Sequence, residues 1–222
     1  MGAMTHPFLS SSLALALLVA LAGCGGPLSY TAEPYDASKV NTEQRATVQA
    51  AETEAADAAR KSHEAEERVP ADEEALENAE KAVEQAEHAL ELAKAKLDVE
   101  EVKGDGNEQA DVAQAKSQVS KAERDLAVSE AEVELAERKL ERSKLAAAEA
   151  KQAWLVALAK VELAKRDAAG VETADAKENQ GDLTKQLSEA EADHGAAKEK
   201  LAAADQAVSE AQDDVNEAKS DN

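Results

Sequence analysis

The sequence predicts an all-α protein: a long antiparallel coiled-coil hairpin with a third helix packed on the half away from its turn. Three observations lead there. Every seventh residue from Val112 reads Val112, Val119, Leu126, Val133, Leu140, Ala147, Trp154, Val161 and Ala168. Three places on, the row is Ala115, Ala122, Ser129, Ala136, Ser143, Ala150, Ala157 and Ala164. A seven-residue apolar period held this long keeps one seam of a helix turned towards a partner. Second, the chain is 43% apolar and 32% charged but only 2% aromatic, a composition that suits long helices and not the core of a globular enzyme. Third, Lys103-Gly104-Asp105-Gly106-Asn107 is a strong turn between two heptad runs of similar length, and a five-residue loop between long helices makes an antiparallel hairpin.

Charge narrows the function classes. Lys and Arg total 25 against 47 Asp and Glu, a formal net charge of −22. Such a polyanion is repelled by nucleic acid and by anionic membrane surfaces, so no nucleic-acid partner is expected. The single cysteine excludes an internal disulfide framework.

In chain order, Leu13 to Ala22 is an apolar run too short to cross a bilayer, which takes roughly 20 residues, and it reads as the core of a signal peptide. It ends Leu21-Ala22-Gly23-Cys24. This ending resembles the lipobox of bacterial lipoproteins: an aliphatic residue, two small residues and the motif's Cys. The resemblance implies a signal peptide over 1–23, cleavage before Cys24, a diacylglycerol thioether on its sulfur and acylation of the new amino terminus. Several acyl chains, palmitate among them, anchor stably where one chain is marginal. Gly25 after the Cys implies sorting to the outer membrane, facing the periplasm. The competing reading is a free Cys behind a hydrophobic leader. Residues 24–36, with Pro27, Pro34 and no periodicity, read as the lipidated Cys and a flexible tether.

A helical domain is expected over 37–222. Its first arm, about 38–103, carries Val48, Ala55, Ser62, Val69, Leu76, Val83, Leu90 and Leu97 in one row. Ala51, Ala58, Ala65, Asp72, Ala79, Ala86 and Ala93 form the other, with Asp72 its one polar intruder. Pro70 sits inside this register. It suits the first turn of a new helix, where Asp72, Glu73 and Glu74 also belong, or it kinks one continuous helix. The unshifted register and the lack of any nearby Gly favour the kink.

Gly104, Asp105 and Gly106 form the hairpin tip, with Asn107 an N-cap for the second arm over 107–169. The tip lacks the donor spacing of a calcium loop. In the second arm Val128, Leu135, Leu145, Leu155, Val156, Leu158 and Leu163 lie off the seam, and a helix apolar on two faces has two neighbours. The third helix, expected over 182–220 with Gly181 before it and Asp182 as its cap, carries Leu187, Ala190, His194, Ala197, Leu201, Ala204, Val208, Ala211, Val215 and Ala218 at heptad spacing. Folded back, it would cover the second arm from roughly 132 to 169 and close a three-helix bundle with the first arm. Glu-to-basic pairs four apart, Glu64/Arg68, Glu77/Lys81, Glu134/Arg138 and Glu162/Arg166, are expected on exposed faces.

No catalytic residue, metal ligand set or cofactor fingerprint is found, so no cofactor and no enzymatic activity are expected. His63-Glu64-Ala65-Glu66-Glu67 lacks the second His of a zinc-protease helix. His88 falls on an outward position. His194 is the polar member of an apolar row beside Gly195, and such residues fix register or oligomer state. Trp154 is expected to fill the space above Gly195.

The leader together with an Ala-, Glu- and Lys-rich helical body resembles the coiled-coil envelope lipoproteins of which murein lipoprotein is the best known. Lys219-Ser220-Asp221-Asn222 departs from that family's terminal basic pair, so any peptidoglycan contact is expected to be non-covalent. Residues 131–142, AEVELAERKLER, are similar to the helical hairpins of periplasmic efflux adaptors. The resulting expectation is a lipid-anchored periplasmic spacer of the bacterial envelope that contacts another envelope protein or peptidoglycan. The alternative is an accessory binding or assembly module for an envelope or efflux-type machine. Heptad seams also pair between chains, so homo-oligomers are allowed.

Overall fold

The computed structural model describes residues 40–103, 108–170 and 174–220. The chain divides into two units, Met1–Pro34 and Tyr35–Asn222, and every described residue belongs to the second. That unit is all-α: α1 spans Thr42–Glu66, α2 Val69–Lys103, α3 Glu108–Ala169 and α4 Ala174–Ser220. Among the described residues there is no strand.

α1 begins later than the heptads suggest because Asn41 caps it, its side-chain oxygen accepting from Gln44 N at 2.8 Å. The first arm is two helices, not one kinked helix. α1 closes with Glu67 N bonded to His63 O and Arg68 N to Ala65 O. α2 opens with Arg68 O accepting from Ala71 N at 3.1 Å and Asp72 N at 3.3 Å. Pro70 therefore lies in the first turn of α2, where its missing N–H costs nothing. The break also resets the surface pairs. Arg68 lies beyond α1, and Glu64 pairs instead with Arg60 at 2.7 Å. Glu77–Lys81 at 2.6 Å and Glu134–Arg138 at 3.5 Å form four residues apart. The hydrogen bond from Lys81, and then its charge, hold the Glu77 carboxyl below the usual carboxylate range. Of the fourth pair, Glu162 Oε2 is buried without a hydrogen-bond partner among the described residues.

α3 is the element on which the rest packs, making extensive contacts with α1, α2 and α4 in turn. At 1.5 Å per residue its 62 residues span about 93 Å. Its row of small residues is buried: Ala115, Ala122, Ala136, Ser143, Ala150 and Ala157 all lie in the core. The partner positions on α1 and α2 fall as those on α3 rise. Glu101 pairs with Lys116, Glu73 with Lys144, Glu54 with Lys160 and Glu52 with Lys165. Val48 joins Ala168 in one core cluster, and Ala55 joins Ala157 and Val161 in another.

α4 takes a second face of α3. Leu135 is buried with Ala211 and Val215, and the cross-pairs run from Gln180–Asp167 at one end to Lys219–Glu132 at the other. α4 starts at Ala174 and passes through Gly181-Asp182 without stopping, so these two residues neither end nor begin a helix. Glycine inside a helix costs only about 1 kcal/mol, and Leu183, 2% exposed, anchors that turn. Nor does the bundle close. α4 packs on α3 but makes no extensive contact with α1 or α2 among the described residues.

Three glycines have opposed roles. Gly170, just past α3, has φ +61°, whereas Gly181 and Gly195 lie within α4, and a Cβ at either would meet no atom within 4 Å. Gly181→Ala and Gly195→Ala should each stabilise the fold by about 0.5–1 kcal/mol, and Gly170→Ala should destabilise it by about 1 kcal/mol. Thermal unfolding followed by circular dichroism checks both signs.

Candidate functional site

Because α1 and α4 share α3 with no extensive contact between them among the described residues, a cleft of about 760 Å³ opens there. α3 supplies its floor, Ala150, Ala153, Val156 and Ala157. Thr53, Glu54, Asp57, Ala58 and Lys61 of α1 form one wall, and Glu191, His194 and Lys198 of α4 the other. These charged walls explain the open bundle: neither helix offers the other a large apolar side chain there.

The walls are partly neutralised from within. Lys160 reaches Glu54 at 3.3 Å, and Asp57 is 3.6 Å from Arg60. Thr53 Oγ1 donates to Gln49 O at 2.8 Å, so this hydroxyl is spent on its own helix. His194 Nε2 lies 2.6 Å from Glu149 Oε1, with side chains only 18% and 20% exposed. His194 thus has a partner that the sequence reading did not name. The signal was available: Val128, Leu135, Arg142, Glu149, Val156 and Leu163 form another seven-residue row on α3. Its two polar members are matched across α4, Glu149 by His194 and Arg142 by Asp205. Together they mark the register of α4 on α3.

Trp154 is half-buried, and it does not fill space above Gly195, which opens onto nothing within 4 Å. Gly195 follows His194 by one position, about 100° round the helix, and so faces away from α3. Leu21, Ala22, Gly23 and Cys24, like Gly104, Asp105 and Gly106 at the expected tip, lie outside the described residues.

Chemically the cleft offers ion pairs around an alanine floor. It aligns no nucleophile with a base. Among the described residues no group of three His, Cys, Asp or Glu is placed to hold a metal ion, and no helix is long and apolar enough to cross a membrane. The fold and this site define an all-α protein organised on one central helix. Comparison with protein-family models, with curated proteins and with solved structures gave no match.

Burial separates the two register pairs. A double-mutant cycle on Glu149→Ala and His194→Ala should give a coupling of about 0.5–1.5 kcal/mol in urea unfolding. The same cycle on Arg142 and Asp205, 45% and 49% exposed, should give no more than about 0.5 kcal/mol.

Proposed function

We propose that this chain is a lipid-anchored structural protein of the bacterial envelope. In this reading it is a helical spacer that is held in the outer membrane through Cys24 and reaches into the periplasm towards another envelope component or peptidoglycan. The observation that carries the reading is α3, 62 unbroken residues on which every other described helix packs. A helix that long, zipped along a small-residue row, spends its sequence on reach and stiffness. The falling-against-rising pairs from Glu101–Lys116 to Glu52–Lys165 support an antiparallel hairpin of α1 and α2 with α3. Those from Asp167–Gln180 to Glu132–Lys219 support α4 folded back over one half of it. The lipobox-like Leu21-Ala22-Gly23-Cys24 supports the anchor, and the net charge of −22 keeps the exposed faces solvated.

Anchor and length are tested separately. Cells should incorporate labelled palmitate into the wild-type chain and not into Cys24→Ser; no label on the wild type would overturn the anchor. Removing two heptads from each arm, residues 84–97 and 120–133, keeps the pairing and shortens the hairpin by about 21 Å. Envelope spacing measured by electron cryotomography should then narrow by a similar amount in cells that depend on this protein. Unchanged spacing would sink the spacer role while leaving the anchor standing.

A further inference from the structure

The end of α2 nearest residue 103 carries a face that α3 does not use. Three large aliphatic residues stand in water there: Leu92 is 59% exposed, Val99 52% and Val102 85%. With Ala95, also exposed, they recur at i, i+3, i+7 and i+10, the spacing of a coiled-coil seam. The seam that α2 turns to α3 runs instead through Leu90, Ala93 and Leu97, on the opposite side of the helix. Nor does α4 reach this face. Its last cross-pair on α3 is Lys219–Glu132, whereas Glu101 of α2 sits at Lys116. The stripe begins where the third layer has ended.

The charges beside the stripe choose its occupant. Taking Leu92 and Val99 as core positions of one kind and Ala95 and Val102 as the other, the residues before Leu92 and Val99 fall on one flank. That flank holds Glu91 and Asp98. Four places after Leu92, on the opposite flank, is Lys96. In a parallel pair of identical helices, a residue on the first flank meets the residue five places on in its partner, so Glu91 meets Lys96 of the other copy in both directions. An antiparallel pair would set Glu91 and Asp98 against their own kind. The face is thus complementary to itself in parallel and repulsive in reverse.

We propose that a second copy of this chain docks here, α2 against α2 and parallel, through Leu92, Ala95, Val99 and Val102. The proposal stands on this face alone, with or without the lipid anchor. The contact spans 11 residues, about 16 Å of helix, and falls short of the ~1,200 Å² that a stable complex buries. It pairs weakly in dilute solution and more fully where copies are crowded, a regime that disulfide trapping reads.

In the full-length chain carrying Cys24→Ser, a parallel seam places each core residue opposite itself. Val99→Cys and Leu92→Cys should each form disulfide homodimers on mild oxidation at least about tenfold faster than Lys121→Cys, an exposed control on α3. Adding Glu91→Lys to Val99→Cys should slow trapping, and Glu91→Lys with Lys96→Glu should restore it, with helicity by circular dichroism unchanged throughout. Rates at Val99 and Leu92 no faster than the control would overturn the proposal. So would faster mixed dimers between Leu92→Cys and Val102→Cys chains, which indicate reversed pairing, or capture of a different protein in place of the homodimer.

Discussion

The arrangement depends on the width of one row. Positions Ala115 to Ala157 on α3 bear side chains no larger than Ala or Ser at every seventh place, and this is the row found in the core. Small residues let two helix axes approach towards the short end of the usual 8–10 Å range. The cost is that each contact buries little: an alanine methyl removes about one CH₂-sized group from water, worth roughly 0.8 kcal/mol, where a leucine removes several. Stability therefore accumulates with length. A 62-residue helix is what this kind of seam requires, and the larger residues of the neighbouring row, Val119, Leu126 and Leu140 among them, are left half-buried along its flank.

Two of the polar residues in the seam answer each other. Asp72 interrupts an alanine row on the first arm and Ser143 an alanine row on α3, and the structure joins them, Ser143 Oγ donating to Asp72 Oδ2. A buried polar group without a partner costs about 1–3 kcal/mol, and a one-heptad slip of α2 along α3 would part the buried Ser143 from half-buried Asp72. This pair fixes register beside the helix break. The break at Glu67 and Arg68 therefore does not loosen the pairing, which continues from Glu73–Lys144 to Glu54–Lys160 across it.

Much of this was legible because heptads are a one-dimensional signal. The all-α class, the extent of α3 and the use of Leu135 and Val156 against another element follow from counting by sevens. What the count misses is set by other terms. Pro70 leaves register untouched whether it bends a helix or starts one; local hydrogen bonding at Arg68 decides, and heptads do not record it. Gly181 reads as a stop because glycine disfavours helix, yet burial of Leu183 in the next turn outweighs that preference. The cleft was hidden for a different reason. It arises from where two helices sit round a third, and α4 meets α3 through Glu149 and Arg142, two charged residues in a row otherwise apolar.

Among the described residues the cleft and the α2 stripe both stand open, and their chemistry ranks them. In the cleft, any incoming helix would have to strip water from Asp57, Lys61, Glu191 and Lys198, over an alanine floor that returns little. Its central charges already have partners in Lys160–Glu54 and His194–Glu149. The α2 face is the reverse: three aliphatic side chains already exposed, each worth about 1.5–3 kcal/mol on full burial, with charges confined to the flanks where they stay wet. Covering the cleft desolvates ions to gain methyl groups; covering the stripe desolvates hydrocarbon alone. A partner chosen by free energy takes the stripe, and the cleft remains a gap that two charged helices keep between themselves.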